Sequence, residues 1–147
     1  MTAKHFFDTN VAVYAYDDSE PTKQAVARSL LLNAAAMSIG VISTQVLGEF
    51  FHATVVRRSL LTVANARTAL RALSRLHVAT IPLSLVERAI DLHERFQLRY
   101  WDALIIATAK QEGCNEVLSE DMNHGQDYDG VRVTNPFLVP AMPHPQS

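Results

Sequence analysis

Four acidic residues, Asp8, Glu49, Asp102 and Asp121, each interrupt an otherwise apolar stretch of the 147-residue chain. A carboxylate in such surroundings is costly to bury unless it is paired or bound to a metal. Carboxylates that crowd together raise one another's pKa, and a divalent cation removes that penalty. An all-oxygen ligand set suits Mg²⁺ or Mn²⁺ rather than zinc. Such a centre can activate a water molecule and neutralise the leaving oxygen of a phosphodiester.

Each of these acids also has a structural interpretation when taken alone. Asp8 and Asp102 both precede segments of helical character, where aspartate commonly caps a helix. Glu49 can lie at the solvent-facing margin of its helix, as most charged residues do. Spacing along the chain does not show that the four carboxylates meet, so a shared site depends on the fold.

The segments that must position these acids alternate between strand and helix patterns. Predicted strands are residues 5–7, 41–43, 78–81, 117–119 and 131–134. Predicted helices are 21–34, 44–54, 62–76, 84–93 and 103–111, with a capping box at Ser84 to Glu87 and a polar loop from 120 to 130. We expect Ser43 or Thr44 to cap the second of these helices.

This alternation predicts an α/β fold, a three-layer α/β/α sandwich with a mainly parallel central sheet. Sites in open parallel sheets form at the carboxyl ends of the strands. Asp8 and Asp121 both follow predicted strands, so both are expected at that edge.

Composition indicates one globular domain, which we place at residues 1–137, with a proline-rich tail at 138–147. Cys114 is the only cysteine in the chain, and no membrane or secretory segment is apparent, so a cytoplasmic location is expected. The formal net charge of −2 indicates no global basic surface for nucleic acid. That balance argues against a binder held by charge alone, but less against an enzyme whose metal ions supply positive charge.

Four short segments together resemble the motifs of PIN domains, in order and in matching strand or helix contexts. They are Phe6-Phe7-Asp8-Thr9-Asn10, Ser43-Thr44-Gln45-Val46-Leu47-Gly48-Glu49-Phe50, Tyr100-Trp101-Asp102-Ala103-Leu104-Ile105 and Leu118-Ser119-Glu120-Asp121-Met122. The segment from Ser119 to Gln126 resembles a bacterial subgroup described as VapC-like toxins. The likeness covers nearly the whole chain.

The resemblance implies that Asp8, Glu49, Asp102 and Asp121 are catalytic acids that bind Mg²⁺ or Mn²⁺. Its supporting residues are Thr9 and Asn10, beside Asp8, and Ser119, near the metal or its waters. Because Glu120 is adjacent to Asp121, either acid could be the fourth metal ligand. The register of the motif favours Asp121. The family further implies an RNA substrate, a frequent homodimer and, in the VapC-like branch, a small antitoxin protein as inhibitor.

Several other residues have competing interpretations. Arg67, Arg71 and Arg75 repeat every four residues along one predicted helix. They form either a solvated face of that helix or a row of RNA contacts, which Arg57 and Arg58 would extend. His124 lies near enough to Asp121 in sequence to approach the substrate. The acids Asp17 and Asp18 precede a helix start and are interpreted as favouring its dipole. For Trp101 a place in the core is preferred over a partner groove.

The leading hypothesis is a metal-dependent endoribonuclease, the toxin of a type II toxin–antitoxin pair. Alternatives are a housekeeping RNA-processing nuclease and a catalytically weak PIN-fold module that binds RNA or regulates. A haloacid-dehalogenase-like phosphatase would need aspartates two apart, whereas Asn10 follows Asp8 at that spacing. The acidic pair and the phosphorylatable aspartate of a receiver domain are also missing.

Overall fold

We describe residues 3–138 of a computed structural model of the chain. The strands are β1 (Lys4–Phe7), β2 (Gly40–Ser43), β3 (His77–Ala79), β4 (Cys114–Leu118), β5 (Asp127–Tyr128) and β6 (Val131–Thr134). The helices are α1 (Thr9–Tyr14), α2 (Pro21–Ala36), α3 (Thr44–Phe51), α4 (Val63–Leu73), α5 (Leu83–Phe96) and α6 (Tyr100–Gln111), and a π-helix (His52–Arg57) continues α3. Nearly all of the predicted proline-rich tail lies outside the described residues.

The strands form one six-stranded sheet in the order β3-β2-β1-β4-β6-β5. Every neighbouring pair is parallel except β5 and β6, which are antiparallel. The predicted three-layer α/β/α sandwich with a mainly parallel sheet is confirmed. Asp8 directly follows β1 and Ser119 directly follows β4. Because these two strands are parallel neighbours, both residues lie at the same edge of the sheet.

Burial of apolar side chains explains why the central elements form where they do. Phe6 and Phe7 on β1 are buried on opposite faces of the sheet, as a strand between two helical layers requires. Every residue of α6 from Ala103 to Ala109 is buried, which is expected of a helix that is apolar all round. This helix packs along both α5 and β4 and therefore holds its first turn firmly at the edge of the sheet.

Several local details differ from the sequence predictions. Helix α5 begins at Leu83, with Pro82 at its N-cap position, and has no side-chain cap. The predicted capping box at Ser84 does not form because the helix begins two residues earlier than that box requires. Asp102 lies in the first turn of α6, whose N-cap is Arg99. The short strand β5 replaces part of the predicted polar loop.

Other predictions at helix ends are borne out. Ser43 caps α3, since its hydroxyl accepts a hydrogen bond from the backbone N–H of Val46 at 3.2 Å.

Within the described part of the chain, no helix combines the length and the apolar character needed to cross a bilayer.

Gly40, at the start of β2, is a position where backbone and side chains approach closely. A Cβ atom there would lie 2.5 Å from Cδ2 of Leu76 and 2.9 Å from Cβ of Ala34. Both neighbours are buried, so neither has free space into which to move. Gly48, on α3, has no atom within 4 Å of the corresponding position and offers a matched control.

We predict that Gly40→Ala lowers the free energy of unfolding by about 1–3 kcal/mol because the added methyl group overpacks the core. Gly48→Ala should leave it unchanged or raise it by up to about 1 kcal/mol, since alanine favours a helix. Urea unfolding followed by circular dichroism measures both. Equal stability of the two variants would mean that the close packing around Gly40 is wrong.

Candidate metal-binding active site

A cavity of about 410 Å³ opens at the carboxyl edge of the sheet and is lined by all four predicted acids. Asp8 reaches it from the end of β1, Glu49 from α3, Asp102 from the first turn of α6 and Asp121 from the loop after β4. Its other lining residues are Thr9, Gln45, Gly48, His52, Ala53, Arg57, Arg99, Trp101 and Ile105. The fold thus brings together four carboxylates that are up to 113 positions apart in sequence.

Asp8 lies at the floor of this cavity and is the most buried of the four acids. Its Oδ1 accepts a hydrogen bond from the backbone N–H of Thr9 at 2.7 Å. Its Oδ2 accepts one from the hydroxyl of Ser119 at 2.7 Å and a longer one from the amide of Asn10 at 3.4 Å. These donors fix the orientation of the carboxylate.

Burial, helped by the negative charges of Asp102 and Asp121, raises the pKa of Asp8 from 3.8 to about 6. The hydrogen bonds from Ser119 and Thr9 act in the opposite direction but do not offset the burial. Asp8 therefore binds a proton more tightly than an ordinary aspartate. A cation in the cavity would relieve the same cost.

Asn10 links three parts of the site. Its amide nitrogen lies 3.1 Å from Oδ2 of Asp121 and 3.3 Å from the hydroxyl oxygen of Ser119, in addition to its contact with Asp8. Its side-chain oxygen accepts the backbone N–H of Glu120 at 3.0 Å. One amide thus fastens the loop after β4 against the end of β1.

Glu49 is held from both sides. The hydroxyl of Thr9 donates to its Oε1 at 2.6 Å, and the amide of Gln45 donates to its Oε2 at 3.3 Å. Gln45 also donates to the backbone carbonyl of Trp101 at 3.2 Å, which connects α3 to the start of α6. The orientation of Glu49 is therefore coupled to that of the helix that presents Asp102.

Asp102 is paired with Arg99, three residues earlier in the chain. The guanidinium group donates twice, from Nε to Oδ2 at 3.2 Å and from Nη2 to Oδ1 at 3.1 Å. The hydrogen bonds and charge of Asp102 raise the pKa of Arg99, and the charges of Asp121 and Asp8 act in the same direction. Arg99 thus balances part of the negative charge of the cavity.

The structure places Asp121 and its neighbour Glu120 in different surroundings. Asp121 lines the cavity, whereas the carboxylate of Glu120 accepts hydrogen bonds from Nζ of Lys23 at 2.6 Å and from the hydroxyl of Tyr14 at 2.5 Å. Partial burial raises the pKa of Glu120, but these hydrogen bonds outweigh it and hold the pKa below its usual range. Glu120 belongs to a separate cluster outside the cavity.

The remaining candidates lie away from the acids. Arg67 and Arg71 are exposed on α4, Arg75 is exposed in the turn after it, and none of the three lines the cavity. His124 is also absent from its lining, and its Nδ1 accepts the backbone N–H of Asn135 at 3.0 Å.

The sequence patterns did not indicate that Gln45, His52 and Arg99 line the cavity, and they indicated Arg57 only as an extension of the arginine row. The signals for Gln45 and Arg99 were their spacings, four residues before Glu49 and three before Asp102, which place side chains on one helical face. The preference for a core position of Trp101 was wrong, because its side chain is 56% exposed beside the acids.

The donors available in the cavity fit a hard divalent cation. Within residues 3–138, no group of three or more His, Cys, Asp or Glu side chains is arranged closely enough to enclose an ion. Mg²⁺ does not require such a cage, since it commonly binds one or two carboxylates and keeps several waters. The carboxylate oxygens therefore suit a hydrated magnesium or manganese ion better than zinc.

Solved structures with the same fold come from bacterial toxin systems. A toxin–antitoxin complex from Klebsiella pneumoniae is 22% identical, with a TM-score of 0.68 over 94% of this chain and 100% of that chain. VapC20 of Mycobacterium tuberculosis, a toxin that cleaves the sarcin–ricin loop, is 19% identical, with a TM-score of 0.61 over 80% and 90% of the two chains. VapBC2 from Rickettsia felis, bound to promoter DNA, is 17% identical, with a TM-score of 0.65 over 88% and 96%.

No curated protein matches the chain. The PIN domain family model, however, matches residues 5–126, which include all four acids of the cavity. That match extends over more than half of the 147 residues. The chain therefore belongs to the PIN domain family.

Proposed function

We propose that the chain is a magnesium- or manganese-dependent endoribonuclease and the toxin of a type II toxin–antitoxin pair. The observation that carries the proposal is the convergence of Asp8, Glu49, Asp102 and Asp121 on one open cavity. A purely structural role for these acids does not explain why a buried aspartate with a raised pKa faces three more carboxylates.

The four acids divide into two groups according to their surroundings. Asp8 and Asp102 are the carboxylates that would hold the cation. Asp8 is buried at the floor of the cavity, and Asp102 is paired with the positive charge of Arg99, a role that a bound cation could share. Glu49 and Asp121 would orient water around it. A divalent cation bound there would supply Lewis acidity, lowering the pKa of a water and offsetting charge on the phosphate.

The other residues of the site would maintain this geometry while the phosphodiester is hydrolysed. Thr9 holds Glu49, and Ser119 and Asn10 hold Asp8. Water attacks the phosphorus atom, the bond to the leaving oxygen breaks, and that oxygen takes up a proton. The protein contributes chiefly by positioning the reactants and by electrostatic stabilisation.

The toxin assignment and the partners also draw on the structural neighbours. Several of them are toxins solved with an antitoxin, including the Klebsiella pneumoniae and Rickettsia felis complexes. We extend this to the chain and propose a small antitoxin protein as inhibitor, RNA as substrate and a second copy of the chain as partner. A neighbouring reading frame for a small protein with a basic DNA-binding end would support the toxin role over housekeeping RNA processing.

We predict that Asp8→Asn and Asp102→Asn each reduce RNA cleavage by about 100-fold or more, because each removes a charge that the cation needs. Cleavage of a mixed RNA pool with Mg²⁺, Mn²⁺ or EDTA measures the effect, and circular dichroism checks folding. Asp91→Asn, on the exposed surface of α5, is the matched control. Full activity in either site variant would refute the assignment, while metal-independent RNA binding without cleavage would favour a regulatory module.

The two acids after β4 should respond differently to loss of charge. We expect Asp121→Asn to weaken Mn²⁺ binding and cleavage, whereas Glu120→Gln keeps both and loses only part of its contact with Lys23. Calorimetric titration with Mn²⁺ and cleavage rates separate the two outcomes. The opposite result would transfer the role of Asp121 to Glu120.

Metal binding should depend on pH through Asp8. In the metal-free protein the folded state keeps this proton up to about pH 6, while the unfolded state loses it near 3.8. The contribution of Asp8 to the free energy of unfolding therefore falls by roughly 3 kcal/mol as the pH rises through that window. A bound cation compensates for this loss above pH 6, where the carboxylate is ionised.

We therefore expect Mn²⁺ at about 100 times its dissociation constant to raise the melting temperature by roughly 5–10 °C at pH 8. At pH 5 the affinity should be about tenfold weaker than its value well above the pKa, because a proton competes for Asp8. Thermal denaturation at both pH values measures this. A shift that is independent of pH, or that persists in Asp8→Asn, would contradict it.

A further inference from the structure

The π-helix that continues α3 presents two basic side chains, His52 and Arg57, to the cavity of the four acids. Short π-helical segments within α-helices are rare and are often found at functional sites. The π-helix therefore indicates a functional role for the side chains that it directs into the cavity.

The altered helical winding is what allows both residues to face the same space. His52 and Arg57 are five positions apart, which in an α-helix would separate their directions by roughly 140°. In the π-helix the hydrogen bonds span five residues, as from the N–H of Arg58 to the carbonyl of Ala53 at 3.1 Å. The directions of residues five apart are then closer together than in an α-helix, and both side chains line the cavity.

The end of the π-helix is firmly anchored on buried groups. The guanidinium of Arg58 lies 2.7 Å from Oδ2 of Asp17, whose side chain is only 1% exposed. The hydrogen bonds of Asp17 with Ser19 and Arg58 lower its pKa, so the pair stays ionised. Asp17 has the structural role expected from the sequence, and its carboxylate fixes the residue next to Arg57.

A second anchor is Thr54, which is fully buried within the π-helix. Its hydroxyl donates to the carbonyl of Phe50 at 2.8 Å. Its own carbonyl accepts the backbone N–H groups of Leu60 and Leu61 at 2.7 and 3.1 Å. The chain is thus held on both sides of Arg57, and the backbone that presents this side chain is rigid.

The two arginines of the cavity differ in their partners. Arg99 is occupied by its two hydrogen bonds to Asp102. The side chain of Arg57 makes no hydrogen bond or ion pair with any other described residue and is exposed at the rim of the cavity. A guanidinium of this kind is suited to a phosphate group, which it can bind through two parallel hydrogen bonds.

We propose that Arg57 is a positioning residue that binds a backbone phosphate of the RNA next to the scissile bond. This inference rests on the proposed ribonuclease function and names an RNA contact within it. The contact places positive charge where an overall acidic chain meets a polyanion. It also differs from Arg67, Arg71 and Arg75, none of which lines the cavity.

The test compares Arg57→Gln, Arg57→Lys and the control Arg88→Gln, which alters an exposed arginine on α5 away from the acids. Fluorescence anisotropy with a labelled single-stranded RNA of mixed sequence, in EDTA and over a range of salt, measures binding without cleavage. Cleavage kinetics with Mn²⁺ then give kcat and KM, and calorimetry gives Mn²⁺ affinity.

We expect Arg57→Gln to bind RNA about tenfold more weakly, since a charge-assisted hydrogen bond is lost. The slope of log affinity against log salt should fall by about 0.7, the value for one phosphate contact with a single strand. KM should rise while kcat and Mn²⁺ affinity stay unchanged, and Arg57→Lys should recover part of the binding. Arg88→Gln should behave as the wild-type protein.

Two results would overturn the proposal while leaving the nuclease intact. One is unchanged RNA affinity and KM in Arg57→Gln, and the other is an equal loss in Arg88→Gln, which would indicate general electrostatic attraction. A wild-type protein that neither binds nor cleaves RNA would instead refute the proposed function, and this inference with it.

Discussion

The concentration of negative charge at the carboxyl edge of β1 is the constraint on which the architecture of the site depends. Asp8 is buried there with a pKa raised to about 6, and three more carboxylates face the same cavity. Such an arrangement opposes folding unless each charge has a donor or a counter-ion. The hydrogen bonds around these carboxylates are therefore required for the protein to fold with the cavity in place.

Each acid meets this requirement from a different part of the chain. Asp8 relies on the donors at β1 and β4, Glu49 on Thr9 and Gln45, and Asp102 on Arg99. Because these donors belong to separate strands and helices, the site forms only when the whole sheet has assembled. The orientation of each carboxylate consequently depends on how the elements that carry its donors pack against one another.

The alternation of strand and helix patterns predicted the parallel sheet, and the strand endings placed Asp8 and Asp121 at its carboxyl edge. The meeting of all four acids was implied by the resemblance to PIN domains, because spacing along the chain does not show which side chains come together. The register of the motif favoured Asp121 over Glu120, but the sequence did not show where the carboxylate of Glu120 goes, because its partners Lys23 and Tyr14 lie about a hundred residues earlier. The π-helix was also missed, since nothing in local propensity distinguishes an added residue in a turn. Trp101 was misplaced because hydrophobic character alone does not separate a core position from an exposed rim.

The cluster around Glu120 has a practical consequence for anyone who shortens or tags this protein. Tyr14, which donates to Glu120, also packs edge-on against the ring of Phe137, with centroids 4.9 Å apart. The chain beyond β6 is thereby joined to the loop of Asp121 through two aromatic rings and one carboxylate. A truncation that removes Phe137 would remove the ring that packs against Tyr14 and weaken the support of the loop that carries Asp121, so the end of a shortened chain belongs after this residue.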